Sequence, residues 1–247
     1  MFSTSLFLSN LKTKEIARDI KYIQKTGSTN DTIYNMYNNG EIKSGSVLIS
    51  EKQVNGRGRR GNKWFSSYGE NLTFSFIISN QSNKLMKKLP LISGISIVNA
   101  IRELTQIDCM LKWPNDIVFD AKKIGGILIE RKKGHFIIGM GVNVNQTKFH
   151  SSIKKTACSI HSVLNSTIDR EPLLAYIFNH FEKLLEMNTK SIISSWESLC
   201  AHINKTIKLS DNSEIIKGEF LGLNKNGEAK IKFKEEEKVV QSGVVNY

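Results

Sequence analysis

The chain has 247 residues, of which 40% are hydrophobic, and a formal net charge of +12. This length accommodates one medium-sized domain with at most a small second one, and the longest apolar runs fall short of the roughly 20 residues that cross a bilayer. The composition therefore argues for an ordered globular chain without a membrane span. The positive charge favours anionic partners, namely nucleotide phosphates, nucleic acid or an acidic protein surface.

Features spread along the chain predict a cytoplasmic location. The opening M-F-S-T-S-L-F-L-S-N-L lacks a basic region and interrupts its apolar residues with Ser and Asn, so it does not resemble a signal peptide. The three cysteines, Cys109, Cys158 and Cys200, are odd in number and widely spaced, which predicts reduced thiols that fill the core. The five histidines form no metal-binding motif, and no structural metal is predicted.

The first predicted elements are a strand, a helix and a second strand. Residues 21–24 predict a short strand that leads into T-G-S-T-N at residues 26–30. A helix is predicted around residues 32–37. The run S-V-L-I-S-E at residues 46–51 predicts the second strand.

The most informative segment follows that strand and reads E-K-Q-V-N-G-R-G-R-R-G-N-K-W-F-S-S-Y-G. Three glycines and three arginines occupy the six positions 56–61. Glycine lets the backbone approach a ligand closely, and arginine presents a planar fork of donors to carboxylate or phosphate oxygens. The segment therefore predicts an anion-binding loop, and the alternative is a solvated basic loop.

The same six residues match G-x-G-x-x-G, but their surroundings exclude the better-known folds that carry this motif. A Rossmann fold needs a helix directly after the glycines, whereas residues 71–78 predict a β-branched and aromatic strand. A kinase needs H-R-D and D-F-G, and neither triplet occurs in the sequence. The P-loop motif is absent as well.

The middle of the chain predicts a helix and then a set of short strands. Pro90 predicts the first turn of an amphipathic helix. Residues 110–119 predict two strand fragments interrupted by K-W-P-N-D, and the alternative is a bulge in which Trp113 is core. Residues 123–130 and 135–144 predict a hairpin whose glycines form a floor for a flat ligand.

The C-terminal part predicts two helices followed by four short strands. The helices are predicted around residues 171–187 and 192–200, and the strands at residues 206–209, 215–223, 229–233 and 238–241. The turns between the strands are D-N-S, N-K-N-G and E-E-E. We therefore expect a domain boundary near Ala201, with one domain over residues 1–200 and a second over residues 201–247.

Several of these motifs together resemble one family, the biotin protein ligases, which attach biotin to carboxylase carrier proteins. G-R-G-R-R-G followed by K-W, then K-W-P-N-D, K-I-G-G-I-L and G-V-N occur in the family's order and spacing, with S-T-N upstream. The resemblance extends from about Lys25 to the C-terminus. It implies an α+β fold similar to class II aminoacyl-tRNA synthetases, with a mixed sheet and helices, followed by a small SH3-like β-barrel.

The resemblance implies a two-step reaction that uses ATP, biotin and Mg²⁺. The biotin carboxylate attacks the α-phosphorus of ATP, pyrophosphate leaves, and a carrier lysine then takes the biotinyl group from the mixed anhydride. Because both reactants of the first step are anions, positioned cations matter more than a general base. By resemblance, Lys123 and Arg59 are the catalytic candidates. The alternative for Lys123 is an exposed lysine at a strand end.

The same resemblance assigns the binding residues. Those expected at biotin are Ser28, Thr29, Asn30, Gln53, Arg57, Gly58, Arg59, Lys123, Gly125 and Gly126. Those expected at ATP or its Mg²⁺ are Arg60, Trp64, Asn115, Asp116 and Asn143, with Trp64 over the adenine. The arginine-rich loop is expected to be mobile until ligand binds, since a glycine-rich positive segment repels itself.

The expected protein partner is the biotin carboxyl carrier protein of acetyl-CoA carboxylase, and a homodimer is possible. Only 27 residues precede S-T-N, fewer than the helix-turn-helix of repressor members needs, so no sequence-specific DNA binding is expected. One alternative is a lipoate ligase, which shares the fold and the adenylation chemistry. Another is a nucleic-acid-binding module on the same sheets, which would not require Lys123 or Gln53.

Overall fold

The computed structural model describes residues 1–80, 82–211 and 214–247, and these form helices packed on a mixed sheet with a smaller sheet after it. The helices are α1 Thr4–Asn10, α2 Thr29–Asn38, α3 Asn83–Thr105, α4 Ile160–Leu164, α5 Arg170–Glu186 and α6 Thr189–Ser198. The strands of the larger sheet are β1 Ile20–Thr26, β2 Val47–Gln53, β3 Leu72–Ser79, β4 Met110–Lys112, β5 Asp116–Phe119, β6 Lys122–Lys132 and β7 His135–Val142. None of the described helices is long and apolar enough to span a bilayer.

The larger sheet has the strand order β1-β2-β3-β7-β6-β5-β4. Strands β1 and β2 are parallel, and the remaining neighbours are antiparallel. This mixed sheet with helices confirms the predicted α+β class. The two fragments predicted on either side of K-W-P-N-D are strands β4 and β5, and Trp113 between them is buried, with 2% of its surface exposed.

Strand β3 shows how the sheet separates the core from the pocket described below. Successive side chains of a strand point to opposite faces. Phe74 and Phe76 pack against Phe178 and Phe181 of α5, with the Phe76 and Phe181 ring centroids 4.9 Å apart. Ile77 instead packs with Ile33 of α2 and its neighbours. Helices α3 and α5 thus cover one face of the sheet, and α2 covers part of the other.

Helix α3 begins earlier than the sequence indicates. The predicted start at Pro90 is wrong, because the helix starts at Asn83, where the Ser82 side chain accepts a hydrogen bond from the backbone N–H of Leu85. The first turns are polar and mostly exposed, so the apolar periodicity appears only where the helix reaches the core at Leu89. Helix α2 also begins before the predicted residue, at Thr29 directly after the N-cap residue Ser28.

The N-terminal segment, including α1, lies against α5 and was not predicted as a helix. Phe7 is fully buried against Phe178. The carboxylate of Glu182 on α5 accepts hydrogen bonds from the backbone N–H groups of Lys14, Glu15 and Ile16 at 2.6 to 2.9 Å. A helix side chain therefore satisfies backbone donors of a segment that precedes it by more than 160 residues.

A buried group of polar residues, the anchor cluster, joins this segment to β2. It consists of Glu51, Arg170, Tyr22 and the backbone N–H of Phe2. Glu51 and Arg170 form an ion pair at 2.6 Å, with side chains only 1% and 7% exposed. The Tyr22 hydroxyl and the Phe2 N–H each donate to the same carboxylate at 2.9 Å. Burial raises the pKa of Glu51, but the hydrogen bonds from Arg170 and Tyr22 outweigh it and leave the pKa below its usual range.

The smaller sheet has the order β11-β10-β9-β8-β12 and contains the four predicted C-terminal strands. Its strands are β8 Thr206–Asp211, β9 Glu214–Leu223, β10 Ala229–Phe233, β11 Glu236–Val240 and β12 Val244–Asn246, the last of which was not predicted. The predicted N-K-N-G turn is confirmed, with a hydrogen bond from Gly227 N–H to the Asn224 carbonyl. The predicted E-E-E turn is wrong in part, because β11 already begins at Glu236. The predicted D-N-S turn includes residues 212 and 213, which lie outside the described residues.

Candidate functional site

One pocket gathers nearly all the residues that the sequence assigns to ligands. It lies on the face of β3, β6 and β7 that carries Thr73, beneath the segment of residues 54–71, hereafter the cradle loop. The predicted residues along its lining are Ser28, Thr29, Asn30, Gln53, Arg57, Gly58, Arg59, Arg60, Trp64, Asn115, Asp116, Lys123 and Gly126. Four separate motifs of the sequence thus meet at a single site.

Glycines of β6 and β7 form the flat floor that the sequence predicts, and Trp64 lies on it. A Cβ atom added at Gly141 would collide with the Trp64 ring, and one at Gly126 would lie 3.6 Å from that ring. At Gly139 the added atom would collide with the side-chain amide of Asn30. The floor therefore accepts a flat group, and in this structure that group is the protein's own indole. The Trp64 Nε1 is buried and has no hydrogen-bond partner among the described residues.

The polar end of the pocket is built from α2 and β2. The Gln53 Oε1 accepts hydrogen bonds from the Thr29 N–H at 2.7 Å and the Thr29 hydroxyl at 2.9 Å. Two donors on the oxygen fix the orientation of the carboxamide, so its NH₂ group points to the cradle loop. There, a Cβ atom added at Gly56 would lie 2.9 Å from the Gln53 Nε2 and 2.6 Å from the Trp64 carbonyl oxygen. Only glycine fits at this first position of G-R-G-R-R-G.

The guanidinium of Arg57 is held by two carboxylates. Its Nη2 lies 2.7 Å from Asp31 Oδ1 and 3.0 Å from Glu130 Oε2. Lys132 also contacts Asp31, at 3.0 Å. The hydrogen bond from Arg57 lowers the pKa of Asp31 from 3.8 to about 2. We call these four residues the loop latch, because they connect the cradle loop to α2 and β6. The sequence assigns Arg57 to a ligand, and here its charge is already paired.

Arg59 and Lys123 lie deeper in the pocket. The Arg59 Nη1 donates to Asn115 Oδ1 at 3.3 Å, and among the described residues no carboxylate lies within 4.0 Å of its guanidinium. Burial and the charge of Arg60 lower the pKa of Arg59 from its usual range. The Lys123 Nζ lies 2.6 Å from Asp116 Oδ1 and 5.9 Å from the centroid of the Trp64 ring. Both cations therefore border the space beside the indole.

Positive charge dominates the lining. Its cationic side chains are Arg57, Arg59, Arg60, Lys63, Lys112 and Lys123. Asp116 is the sole carboxylate that the described part of the chain contributes to the lining. Even with Arg57 paired to Asp31 and Glu130 outside the lining, cations remain in excess and give a positive electrostatic potential that suits a ligand with several negative charges. Lys63 and Lys112 were not predicted, although both belong to the quoted motifs.

The smaller sheet completes one wall. Arg60 donates to the Ser242 hydroxyl at 3.2 Å and to the Ser210 carbonyl at 3.4 Å. Residues 243–245 line the pocket beside it. Thr73, Phe74 and Met140 also belong to the lining and were not predicted. They carry no motif, and only the pairing of β3 with β7 brings them to the site.

Two predicted residues, Asn143 and Gly125, lie outside the lining. The Asn143 side chain is nearly buried and donates to the Cys158 carbonyl at 2.9 Å. A Cβ atom added at Gly125 would lie 3.0 Å from the Gly141 carbonyl oxygen, which accounts for glycine there by close strand packing. Their contacts with ligands remain predictions.

Comparison with known proteins places this site in a family. Residues 22–145 match the Biotin/lipoate A/B protein ligase family. The structure is similar to that of a biotin protein ligase from Aquifex aeolicus in complex with biotin and ATP, with a TM-score of 0.83, 30% identity, and coverage of 93% of this chain and 98% of that one.

Two curated relatives are bifunctional ligase/repressors. The BirA protein of Escherichia coli strain K12 is 33% identical over an alignment of 198 residues, and the match covers 76% of this chain. The BirA protein of Bacillus subtilis strain 168 is 30% identical over an alignment of 230 residues, and the match covers 88% of this chain and 70% of the relative. The chain spans 62% of the length of the Escherichia coli relative.

Proposed function

We propose that this chain, which belongs to the Biotin/lipoate A/B protein ligase family, activates biotin as biotinyl-5'-AMP and transfers the biotinyl group to a lysine of a biotin carboxyl carrier protein. The observation that carries the proposal is the pocket, in which six cations surround a glycine floor with an oriented amide at one end. Its shape suits a flat ligand group, and its charge suits a polyphosphate. The solved Aquifex aeolicus ligase with biotin and ATP supports the same pair of ligands.

The polar end of the pocket suits the head group of biotin. The Gln53 carboxamide offers its NH₂ group, because its oxygen already accepts two hydrogen bonds from Thr29. Ser28 and Asn30 lie beside it on the lining. A buried ureido group needs such donors and acceptors, since an unpaired polar group in a closed site costs about 1 to 3 kcal/mol.

In the first step, catalysis comes mainly from cations that stabilise the negative charge of the reactants and of the transition state. A biotin carboxylate oxygen bonds to the α-phosphorus of ATP while the bond to the bridging oxygen breaks, and pyrophosphate leaves with the electron pair. Lys123 bridges the carboxylate and an α-phosphate oxygen, and Arg59 stabilises the charge that develops on the phosphoryl oxygens. Trp64 leaves the glycine floor when ligand binds and packs over the adenine. Arg60 and Asn115 contact the nucleotide from the wall of the pocket.

The donor set fits Mg²⁺ that enters with the nucleotide. In the described part of the chain, no group of three or more His, Cys, Asp or Glu side chains could hold an ion by itself. Asp116 supplies one carboxylate at the pocket, and Mg²⁺ commonly binds through one or two carboxylates together with substrate phosphates. Asp116, with Asn115 beside it, would hold the ion, which would neutralise phosphate charge.

In the second step, the amine of the carrier lysine attacks the biotinyl carbonyl carbon of the mixed anhydride. The new amide bond forms, AMP leaves with the electron pair of the broken bond, and the amine gives up a proton. We further propose that residues 1–200 form the catalytic domain and residues 201–247 an SH3-like domain that contributes the wall next to Arg60. The buried free cysteines support a cytoplasmic location.

A substrate comparison tests the proposal. The purified chain is incubated with Mg²⁺, α-labelled ATP and either biotin or lipoate, and a carrier domain is then added, with a carrier whose target lysine is replaced by arginine as the control. We expect labelled adenylate with biotin only, and biotin on the native carrier only. Adenylate with lipoate only would instead identify a lipoate ligase. No adenylate with either acid would overturn the proposal and favour a binding module.

A further inference from the structure

Glu130 connects two parts of the pocket that are far apart in sequence. Its Oε2 accepts a hydrogen bond from the Asn30 Nδ2 at 2.7 Å and one from the Arg57 Nη2 at 3.0 Å. Its other oxygen accepts a second contact from the same Arg57 nitrogen at 3.1 Å. One carboxylate therefore holds both the cradle loop and a buried amide at the end of the pocket.

The position of Glu130 follows from the strand that carries it. Gly126 and Leu128 line the pocket, and Glu130 lies two residues further along the same face of β6. Its side chain is 24% exposed and is not part of the lining. It therefore reaches the pocket only through the side chains that it holds.

The carboxylate decides which way the Asn30 amide points. Asn30 is 3% exposed, its NH₂ group donates to Glu130, and its Oδ1 accepts from the Ser75 hydroxyl. Ser75 also contacts the Thr29 hydroxyl at 2.7 Å. Because a carboxylate only accepts hydrogen bonds, it fixes the NH₂ group on its own side and leaves the amide oxygen on the side of Gly139.

We propose that Glu130 is a positioning residue of the biotin site, an assignment that rests on the proposed function. It orients the Asn30 amide and holds the Arg57 side of the cradle loop, so it sets the affinity for the biotin head group without touching biotin or ATP. Lys132 and Asp31, the other members of the loop latch, balance the charge around Arg57. Glu130, Asp31 and Lys132 were not predicted as site residues.

Steady-state kinetics of the full chain test this role. The variant Glu130→Gln keeps the shape of the side chain but removes its charge and adds a donor where two acceptors are needed. We expect the KM for biotin to rise about tenfold, since hydrogen bonds to charged groups have effects of this size, while kcat and the KM for ATP stay within about twofold. The control is Asp108→Asn, which breaks an exposed pair with Arg102, two residues that are both absent from the pocket lining, and should leave all three constants unchanged.

A double-mutant cycle distinguishes positioning from general damage. If Glu130 acts through the amide, Glu130→Gln should change the KM for biotin less than about twofold in an Asn30→Ala background. A merely structural role would lower kcat, raise both KM values, and add to the effect of Asn30→Ala. Either additivity or an unchanged KM for biotin, in an assay where the native chain is active, would overturn the positioning role.

A third measurement does not depend on activity. Trypsin cleaves after arginine, and Arg57, Arg59 and Arg60 lie in the cradle loop. We expect ligand-free Glu130→Gln to be cut there several times faster than the native chain and Asp108→Asn, at an unchanged melting temperature. Equal cleavage would overturn the proposed hold on the loop. If the native chain formed no adenylate, only the proposed function would be overturned. The cleavage rates would still show whether Glu130 holds Arg57 and the cradle loop.

Discussion

The anchor cluster and the pocket both gather charged side chains around an arginine, but they treat charge in opposite ways. In the anchor cluster, Glu51 and Arg170 are almost fully buried, and the carboxylate has three different partners. The pocket lining instead carries six cations and one carboxylate among the described residues, although Arg57 has carboxylate partners just outside the lining. Opposite charges are matched where they hold the fold together, whereas positive charge is in excess where we propose that an anion binds. The loop latch lies between the two cases, since Arg57 is paired but partly exposed.

Breaking the anchor cluster should have the largest effect. The variant Arg170→Met leaves Glu51 buried without its cation, and uncompensated buried charges cost about 3 to 5 kcal/mol. We expect the free energy of unfolding, measured in urea, to fall by about that amount. Arg102→Met breaks an exposed pair and should cost less than about 1 kcal/mol. Similar losses from the two variants would mean that the anchor cluster is not the balanced scaffold described here.

Removing a pocket cation should affect activity and spare stability. We expect Lys123→Ala to lower the rate of biotinyl-adenylate formation by about 10² to 10³, the range for loss of one group that stabilises transition-state charge. The neighbouring Lys122→Ala is the matched control, because Lys122 is exposed and absent from the lining. Both variants should have the same midpoint of urea unfolding as the native chain. An active Lys123→Ala, measured with labelled ATP, would contradict the role assigned to Lys123.

Crowding the glycine floor should displace Trp64. In Gly141→Ala the added methyl group would collide with the indole, and overpacking of this kind costs about 1 to 3 kcal/mol. We expect the fluorescence of Trp64, taken as the difference from Trp64→Phe, to shift to the red as the ring meets water. The control is Gly27→Ala, because a Cβ atom added at Gly27 would lie no closer than 3.9 Å to any of the neighbouring atoms. An unshifted difference spectrum would show that the ring does not rest on this glycine.

The loop latch should give the smallest effect, and it should depend on pH. The pKa of Asp31 is lowered from 3.8 to about 2, so the carboxylate stabilises the folded chain above pH 3.8 and loses that contribution as the pH falls towards 2. Because Asp31 is 47% exposed, we expect Asp31→Asn to cost at most about 1 kcal/mol at neutral pH. Native and variant stabilities should converge between pH 4 and 2. A constant difference across that window would exclude the carboxylate as its cause.

The sequence predicted the site far better than it predicted which contacts each residue makes. The cradle loop, K-W-P-N-D and the glycine strands were found because their residues are adjacent in sequence, and folding brings these segments together. The partners of Arg57 could not be found in this way, because Asp31 and Glu130 lie 26 and 73 residues from it. A forked cation in a glycine-rich loop fits a ligand anion and a protein carboxylate equally well.

The hydrophobic pattern of the sequence also failed to predict segments that extend beyond the core or are held by distant side chains. The first turns of α3 are polar because they project beyond the core, so Pro90 was mistaken for the helix start. The apolar residues of the N-terminal segment are interrupted by polar ones, and its backbone is also held by Glu51, Glu171 and Glu182, far away in the chain. Hydrogen bonds between a backbone N–H group and a distant side chain leave no periodic pattern in the sequence, so they could not be predicted from it.

The three buried cysteines offer a practical advantage for fluorescence work. Burial raises the pKa of Cys158 to about 11 and those of Cys109 and Cys200 to about 12, so these thiols stay protonated and shielded at neutral pH. A maleimide dye should therefore not react with the native chain. A single cysteine introduced at the exposed Val54, in the cradle loop, would be labelled selectively and could report loop motion from an otherwise silent background.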